Sequence, residues 1–259
     1  MKVVIFAGGL GTRISEETDV RPKPMVEIGG KPILWHIMKI YSQYGFNDFI
    51  ICLGYRGYVI KEYFMNYFLH NSDITIDLAD NKMEIHGTRS ESFKVTLLET
   101  GMNTKTAGRL QQVKKYTGEE DFLLTYGDGV SDVNIGELIA FHKKHNKIAT
   151  VTSVQPDARF GGMDLSADGN VNAFREKSKA DAQWINGGFF VLKPAVFNYL
   201  QKDMSHVMWE DEPLESLTND KQLVAYKHKG FWKCMDALRD KIELNELWET
   251  GKAPWKIWK

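Results

Sequence analysis

Val3-Val4-Ile5-Phe6-Ala7-Gly8-Gly9-Leu10-Gly11-Thr12-Arg13 is the stretch on which the fold turns. Its first four residues form an uninterrupted, β-branched apolar run, the pattern of a strand buried on both faces. Three glycines follow at once. In an open α/β sheet, the space beyond a strand's carboxyl end is where ligands bind. Glycines there let the backbone approach a phosphate chain and aim N–H donors at it. The Walker pattern GxxxxGK[ST] is absent, and Ile14 stands where a dinucleotide fingerprint needs its third glycine. On the glycines alone, a tight strand-to-helix turn is an equal reading.

Working outward, short apolar runs alternate with longer amphipathic segments, the pattern of βαβ units feeding a mostly parallel sheet. Helices are expected near 32–44, 58–69, 109–116, 135–145 and 237–248. Strands are expected near 49–53, 122–125 and 149–154. Residues 73–98 read as shorter strands and turns, and residues 161–192 as a strand-rich stretch where the sheet becomes mixed. The expectation is a single α/β domain over 1–259: a Rossmann-like central sheet flanked by helices, with a small strand-rich insertion and a helical C-terminal tail.

Composition narrows the function. Hydrophobic residues make up 43% and charged residues 26%, with a formal net charge of −1. No global field favours nucleic acid or an anionic membrane, so affinity for phosphates has to come from local cations and N–H groups. No apolar run reaches the length of a membrane span, and the N-terminus does not read as a secretory leader, so a cytoplasmic location is expected. Cys52 and Cys234 form neither a disulfide framework nor a CxxC pair, and Cys52, inside an apolar run, reads as a buried thiol. Trp248, Trp255 and Trp258 read as core or subunit-interface aromatics.

Lys23 lies between Pro22 and Pro24. A residue before proline is pushed from helical geometry, and the preceding proline restricts the chain, so one ammonium is held in place. Gly8-Gly9-Leu10-Gly11-Thr12-Arg13, then Thr18, then Pro22-Lys23-Pro24-Met25, resembles the signature of the sugar-1-phosphate nucleotidyltransferase family. The resemblance implies that Gly8, Gly9, Gly11 and Thr12 wrap a nucleoside triphosphate, while Arg13 and Lys23 stabilise the reacting phosphates.

Tyr126-Gly127-Asp128-Gly129 follows the strand-like run 122–125, which puts Asp128 on the same sheet edge as the glycine loop. Asp236 follows Phe231-Trp232-Lys233-Cys234-Met235 and precedes a helix. Taken singly, Asp128 reads as a turn residue and Asp236 as an N-cap. Together they could hold Mg²⁺, which takes few protein oxygens and completes its shell with water and phosphate. The resemblance implies that role for both. It also implies sugar-phosphate contacts for Glu176 and Lys177, with Ser178 replacing the usual proline, and for the turns at Gly161 and at Asn186-Gly187.

The stretches Tyr126 to Asp132, Glu212-Pro213-Leu214 and Gly230 to Asp240 look like the CTP-using, glucose-specific branch of that family, as does Thr106-Ala107-Gly108-Arg109-Leu110. The resemblance then implies CTP and glucose 1-phosphate as substrates, a homo-oligomer, and a place in making dideoxysugars of lipopolysaccharide O-antigen. Arg109 is the candidate reader of the base, with Thr106 beside it; a surface arginine starting a helix is the alternative. A uridylyl- or thymidylyltransferase, or a sensor that binds without turnover, are the rival functions. The chemistry needs no histidine or covalent nucleophile, because a phosphomonoester is already largely anionic at neutral pH. It needs positioning and cancellation of charge.

Overall fold

The computed structural model describes residues 1–11, 14–156, 162–166, 170–175 and 183–258, with backbone alone at 15, 16, 162–165 and 171–175. Strand β1 (Val3–Phe6) is followed by the short helix α1 (Ser15–Thr18) and a hairpin of β2 (Glu27–Ile28) and β3 (Lys31–Pro32). Then come α2 (Ile33–Ser42), β4 (Asp48–Leu53), α3 (Gly57–His70), the ribbon β5 (Ser72–Asp77) and β6 (Lys82–Thr88), and β7 (Lys94–Glu99). Helices α4 (Thr106–Gln112) and α5 (Lys114–Thr117) lead to β8 (Phe122–Tyr126), β9 (Gly129–Ser131), α6 (Ile135–His145) and β10 (Ala149–Val154). The rest is β11 (Gly162–Leu165), β12 (Val171–Arg175), β13 (Ile185–Asn186), β14 (Phe190–Leu192), α7 (Glu212–Asn219), β15 (Leu223–His228), β16 (Trp232–Cys234) and α8 (Leu238–Glu249).

Among the described residues the central sheet has eight strands, with β1 flanked by β4 on one side and β8 on the other. Both pairings are parallel, and Phe6 stands level with Cys52 and Tyr126. Three strands therefore end along one edge, and the chain leaves β1 for opposite sides of the sheet. Such a switch point opens the crevice that α/β folds use for ligands. The sheet becomes mixed where the sequence suggested it: β14 runs antiparallel to both β8 and β10.

Strand β1 shows why an unbroken apolar run was needed. Val3 and Ile5 belong to the core on one face, with Ile37, Tyr41 and Trp255. Val4 and Phe6 belong to the other, with Leu110, Phe122 and Trp209. Side chains alternate along a strand, so both faces demand apolar residues when both are covered by helices. Cys52 lies in the second core, and burial pushes its thiol up to about 12, with Arg109 pulling the other way.

One helix differs from expectation. The segment expected at 109–116 begins at Thr106 and breaks into two pieces. The first N–H groups of a helix have no partner within it. Here the loop 205–209 helps supply them: Lys105 and Ala107 donate to the carbonyls of Ser205 and Val207 at 2.8 and 3.1 Å. Those partners lie far along the chain, where local pattern cannot show them.

The C-terminal tryptophans close the core. Trp255 is fully buried, stacks on Phe231 and Trp248, and donates its indole N–H to His36 Nδ1 at 3.3 Å. No helix among the described residues is long and apolar enough to cross a membrane.

Candidate active site

The Lys23 backbone is locked from both sides. Pro22 is extended; Lys23, expected before Pro24 to avoid helical geometry, instead opens a 3-10 turn over Lys23–Met25, in which Pro24 and Met25 are buried. Gly127 lets this turn approach β8: a Cβ there would lie 2.7 Å from the Phe6 carbonyl oxygen and 3.0 Å from Pro24 Cγ. A larger residue at 127 would drive the lysine turn and the Asp128 turn apart.

Asp236 arrives by a different route. Strands β9 and β16 pair antiparallel, with Cys234 opposite Gly129, and Met235 N–H donates to the Asp128 carbonyl at 2.9 Å. The two aspartates thus leave adjoining backbones. Lys23 Nζ sits between them, 2.6 Å from Asp128 Oδ2 and 2.6 Å from Asp236 Oδ1. Burial works against the ammonium charge, but the Asp128 and Asp236 carboxylates outweigh it and hold the lysine above its ordinary value. Burial, with Asp128 adding to it, raises the Cys234 thiol, so that group stays protonated beside the carboxylates.

The N-cap reading of Asp236 gives way. Asp240, one helical turn on, accepts the N–H groups of Asp236 and Ala237 at 3.0 and 2.8 Å. A carboxylate inside the first turn does the capping, which leaves the Asp236 side chain for Lys23.

A cavity of about 830 Å³ opens above the sheet edge, lined by Gly8, Gly9, Gly11, Lys23, Thr106, Arg109, Tyr126, Asp128 and Asp236. A smaller one of about 230 Å³ is lined by Asn186, Gly187, Trp232 and Cys234, and shares Tyr126, Asp128 and Asp236 with the first. The acids and the lysine therefore stand where the two cavities meet. Residues expected at Thr12, Arg13, Gly161, Glu176 and Lys177 lie outside the described residues.

Arg109 is neither on the surface nor at the start of its helix. It is 3% exposed, and Nη1 donates to Leu53 O at 2.7 Å and to Thr100 Oγ1, while Nη2 donates to Gly8 O at 2.9 Å. A Cβ on Gly8 would lie 2.2 Å from Arg109 Nη1, so this glycine makes room for a guanidinium as much as for a ligand. Burial lowers the Arg109 pKa, as expected for a cation under a loop. Of its five N–H donors, three are engaged in these bonds.

Gly187 also has another reason than the one expected. A Cβ there would meet Val154 Cγ1 at 2.8 Å and the Thr152 carbonyl at 3.1 Å. The turn needs glycine to press against β10, and its carbonyl accepts the Trp232 indole N–H at 2.8 Å. Sequence reasoning assigned no role to Tyr126, Glu210 or Trp232. Tyr126 and Trp232 fall within the family-like stretches of sequence, whereas Glu210 sits in an acidic run with no periodic or motif signal.

Residues 2–249 match the nucleotidyl transferase family. Across its full length the chain is 58% identical to the glucose-1-phosphate cytidylyltransferase of Salmonella typhi, covering 100% of both chains. The relative of the same name from Salmonella typhimurium is likewise 58% identical over 100% of both. The structure of a UDP-glucose pyrophosphorylase complexed with UDP-glucose superposes with a TM-score of 0.68 at 17% identity, over 97% of this chain and 99% of that one. A glycine loop, a lysine between two aspartates and two joined cavities thus accompany a sequence match over nearly the whole length, and the chain belongs to the nucleotidyl transferase family.

Proposed function

We propose that this enzyme transfers the cytidylyl group of CTP to glucose 1-phosphate, giving CDP-glucose and pyrophosphate. The observation that carries the reading is the Lys23 ammonium, 2.6 Å from each aspartate at the junction of a large and a small cavity. Two polyanions can meet there only if their charge is offset. The full-length relatives supply the choice of CTP and glucose 1-phosphate.

In this reading an oxygen of the sugar phosphate attacks the α-phosphorus of CTP, and pyrophosphate leaves with the bonding pair. The attacking oxygen is already largely anionic near neutral pH, so no side chain has to remove a proton. Lys23 places a fixed positive charge beside the transferring group, where a preorganised donor acts strongly. The glycine loop offers N–H groups to the triphosphate. Arg109 props that loop through the Gly8 carbonyl and keeps two N–H groups uncommitted among the described residues for the O2/N3 edge of cytosine.

The donor set suits Mg²⁺. The Asp128 and Asp236 carboxylates are oxygen ligands that already face one cation, and with the Cys234 sulfur they lie within 4.8 Å of one another. Asp128 and Asp236 are the residues that would hold the ion. Bound there, Mg²⁺ supplies further neutralisation of the phosphates.

The apolar residues Ile76, Met83 and Ile85 on the β5–β6 ribbon are 53%, 51% and 46% exposed, which supports a homo-oligomer. Sedimentation velocity reads that directly. For the reaction, pyrophosphate release is measured with each of the four nucleoside triphosphates and glucose 1-phosphate. CTP should give the highest kcat/KM, and Asp128→Asn and Asp236→Asn should each lose most turnover while melting normally. Equal rates with UTP or thymidine triphosphate would replace the cytidylyl reading, and no release with any would point to a sensor.

A further inference from the structure

A chain of hydrogen bonds crosses from one cavity to the other, and its direction is set by one carboxylate. Glu210, just before helix α7, accepts the Thr106 hydroxyl proton at Oε2, 2.7 Å away, and the Tyr126 phenol proton at Oε1. Asn186 Nδ2 donates to the same phenol oxygen at 2.9 Å, and its Oδ1 accepts the Gly188 N–H at 2.9 Å. Trp209 N–H donates to Thr106 Oγ1 at 2.7 Å.

An ionised carboxylate accepts and never donates. Thr106 and Tyr126 each own a single hydroxyl proton, and Glu210 draws both. On the side of the large cavity, Thr106 is then left with acceptor capacity only. On the other side, the phenol oxygen can only accept, so Asn186 must turn its NH₂ group toward it. One N–H of that group stays uncommitted among the described residues, at the wall of the small cavity.

We propose that Glu210 is a positioning residue that fixes this polarity, so that Thr106 meets the nucleotide as an acceptor and Asn186 meets the sugar phosphate as a donor. The assignment rests on the reading above, in which the large cavity takes the nucleotide and the small one the sugar phosphate. It narrows the role expected for Thr106 beside Arg109: its hydroxyl cannot donate to a base carbonyl while Glu210 holds its proton. A nucleotide group facing Thr106 has to be a donor, either an exocyclic amine or a ribose hydroxyl.

The two sides can be separated by substitution. In Glu210→Gln the amide offers one oxygen and one NH₂, and cannot draw both protons. Both hydroxyl oxygens already accept one N–H, from Asn186 and from Trp209, but a phenol oxygen takes a second far less readily than an aliphatic hydroxyl, so Tyr126 keeps the amide oxygen. Thr106 then faces NH₂, and its proton turns away toward Met208 Sδ, 3.9 Å distant, or into the large cavity. Tyr126→Phe instead removes the acceptor that orients Asn186 and leaves Thr106 as it was.

The experiment is steady-state pyrophosphate release, with KM for CTP and for glucose 1-phosphate each measured while the other is saturating. Glu210→Gln should raise KM for CTP about tenfold and leave that for glucose 1-phosphate within about twofold, the scale of one mismatched hydrogen bond. Tyr126→Phe should do the converse, and Glu210→Ala should raise both. Thermal melting accompanies each variant; if Glu210→Ala does not fold, the two near-isosteric variants decide the matter. Parallel shifts of both KM values that track the loss in melting temperature would show a merely structural residue and overturn the proposal. So would no shift in either. A wild-type enzyme that releases no pyrophosphate would defeat the proposed function first, and the positioning role with it.

Discussion

Two junctions tie the N-terminal part of the chain to its C-terminal part, and they treat charge in opposite ways. At the first, Lys23 meets Asp128 and Asp236, with side chains 12%, 26% and 27% exposed, so three charges face each other at a cavity wall. At the second, His36 is fully buried against Trp248, Trp255 and the Ile28 carbonyl, which it meets through Nε2 at 2.8 Å. Burial pushes His36 down to about 4, so it serves as a neutral ring that donates at one nitrogen and accepts from Trp255 at the other. The lysine is partly buried too, yet its carboxylate neighbours keep it charged. Charge is maintained at the cavity wall, where carboxylates face the lysine, and removed where only packing is required.

The largest effect should come from breaking the second junction. Trp255→Ala should cost about 3–5 kcal/mol of stability, the range for truncating a buried aromatic residue. Urea unfolding measures it, and kcat at low temperature should stay within a few-fold. A loss of kcat that exceeds the loss of folded protein would show that the aromatic clamp also sets the geometry of the site.

Breaking the first junction should invert that pattern. Lys23→Met should lower kcat by roughly 10²–10³, as loss of a preorganised donor does, or about 3 kcal/mol. It leaves two carboxylates facing each other, so the melting temperature should fall slightly without divalent ions and recover when Mg²⁺ is added. A variant that only raises KM for CTP would assign Lys23 to uniform binding instead.

Acid should distinguish the junctions without any substitution. The unfolded chain protonates His36 near 6.5 and the folded one near 4. Its contribution is therefore complete above pH 6.5 and is lost as pH falls toward 4. At about 1.4 kcal/mol per unit, that shift amounts to roughly 3 kcal/mol. His142, fully buried and lowered to about 4 chiefly by burial, acts in the same direction. Urea midpoints at pH 7 and pH 4.5 test this, and His36→Gln should flatten the difference.

The smallest effect concerns the cap. Asp240→Ala removes the acceptor for two N–H groups at the start of α8 and should cost about 1 kcal/mol. Activity should drop by less than about tenfold, far less than for Asp236→Asn, because the Asp236 carboxylate remains. Equal losses in the two variants would mean that the cap, and not the carboxylate, is what the reaction needs.

Much of the candidate site was legible in the sequence. An apolar run ending in glycines can only be a strand leaving a buried sheet, and Pro22 and Pro24 announce a rigid lysine. Asp128 follows a second such strand, so its place on the same edge came from strand polarity alone. Asp236 was legible as a carboxylate before a helix and read singly as its N-cap; that Asp240 instead accepts the N–H groups there was visible only in the fold. Arg109 shows the limit more sharply: its helix, its charge and its neighbours in sequence all fit an exposed residue.

By itself, then, the sequence determined the parallel sheet, the glycine loop, the fixed lysine and the pair of acids. Each depends on backbone preference or on alternation within a few residues, and those forces are local. Tertiary structure alone decided that Arg109 lies under Gly8, that Glu210 joins Thr106 to Tyr126, and that Gly187 serves packing on β10. These contacts join residues about a hundred positions apart, or set one backbone against a neighbouring strand. Their energy comes from pairing buried polar groups and filling space, which only the folded chain brings together.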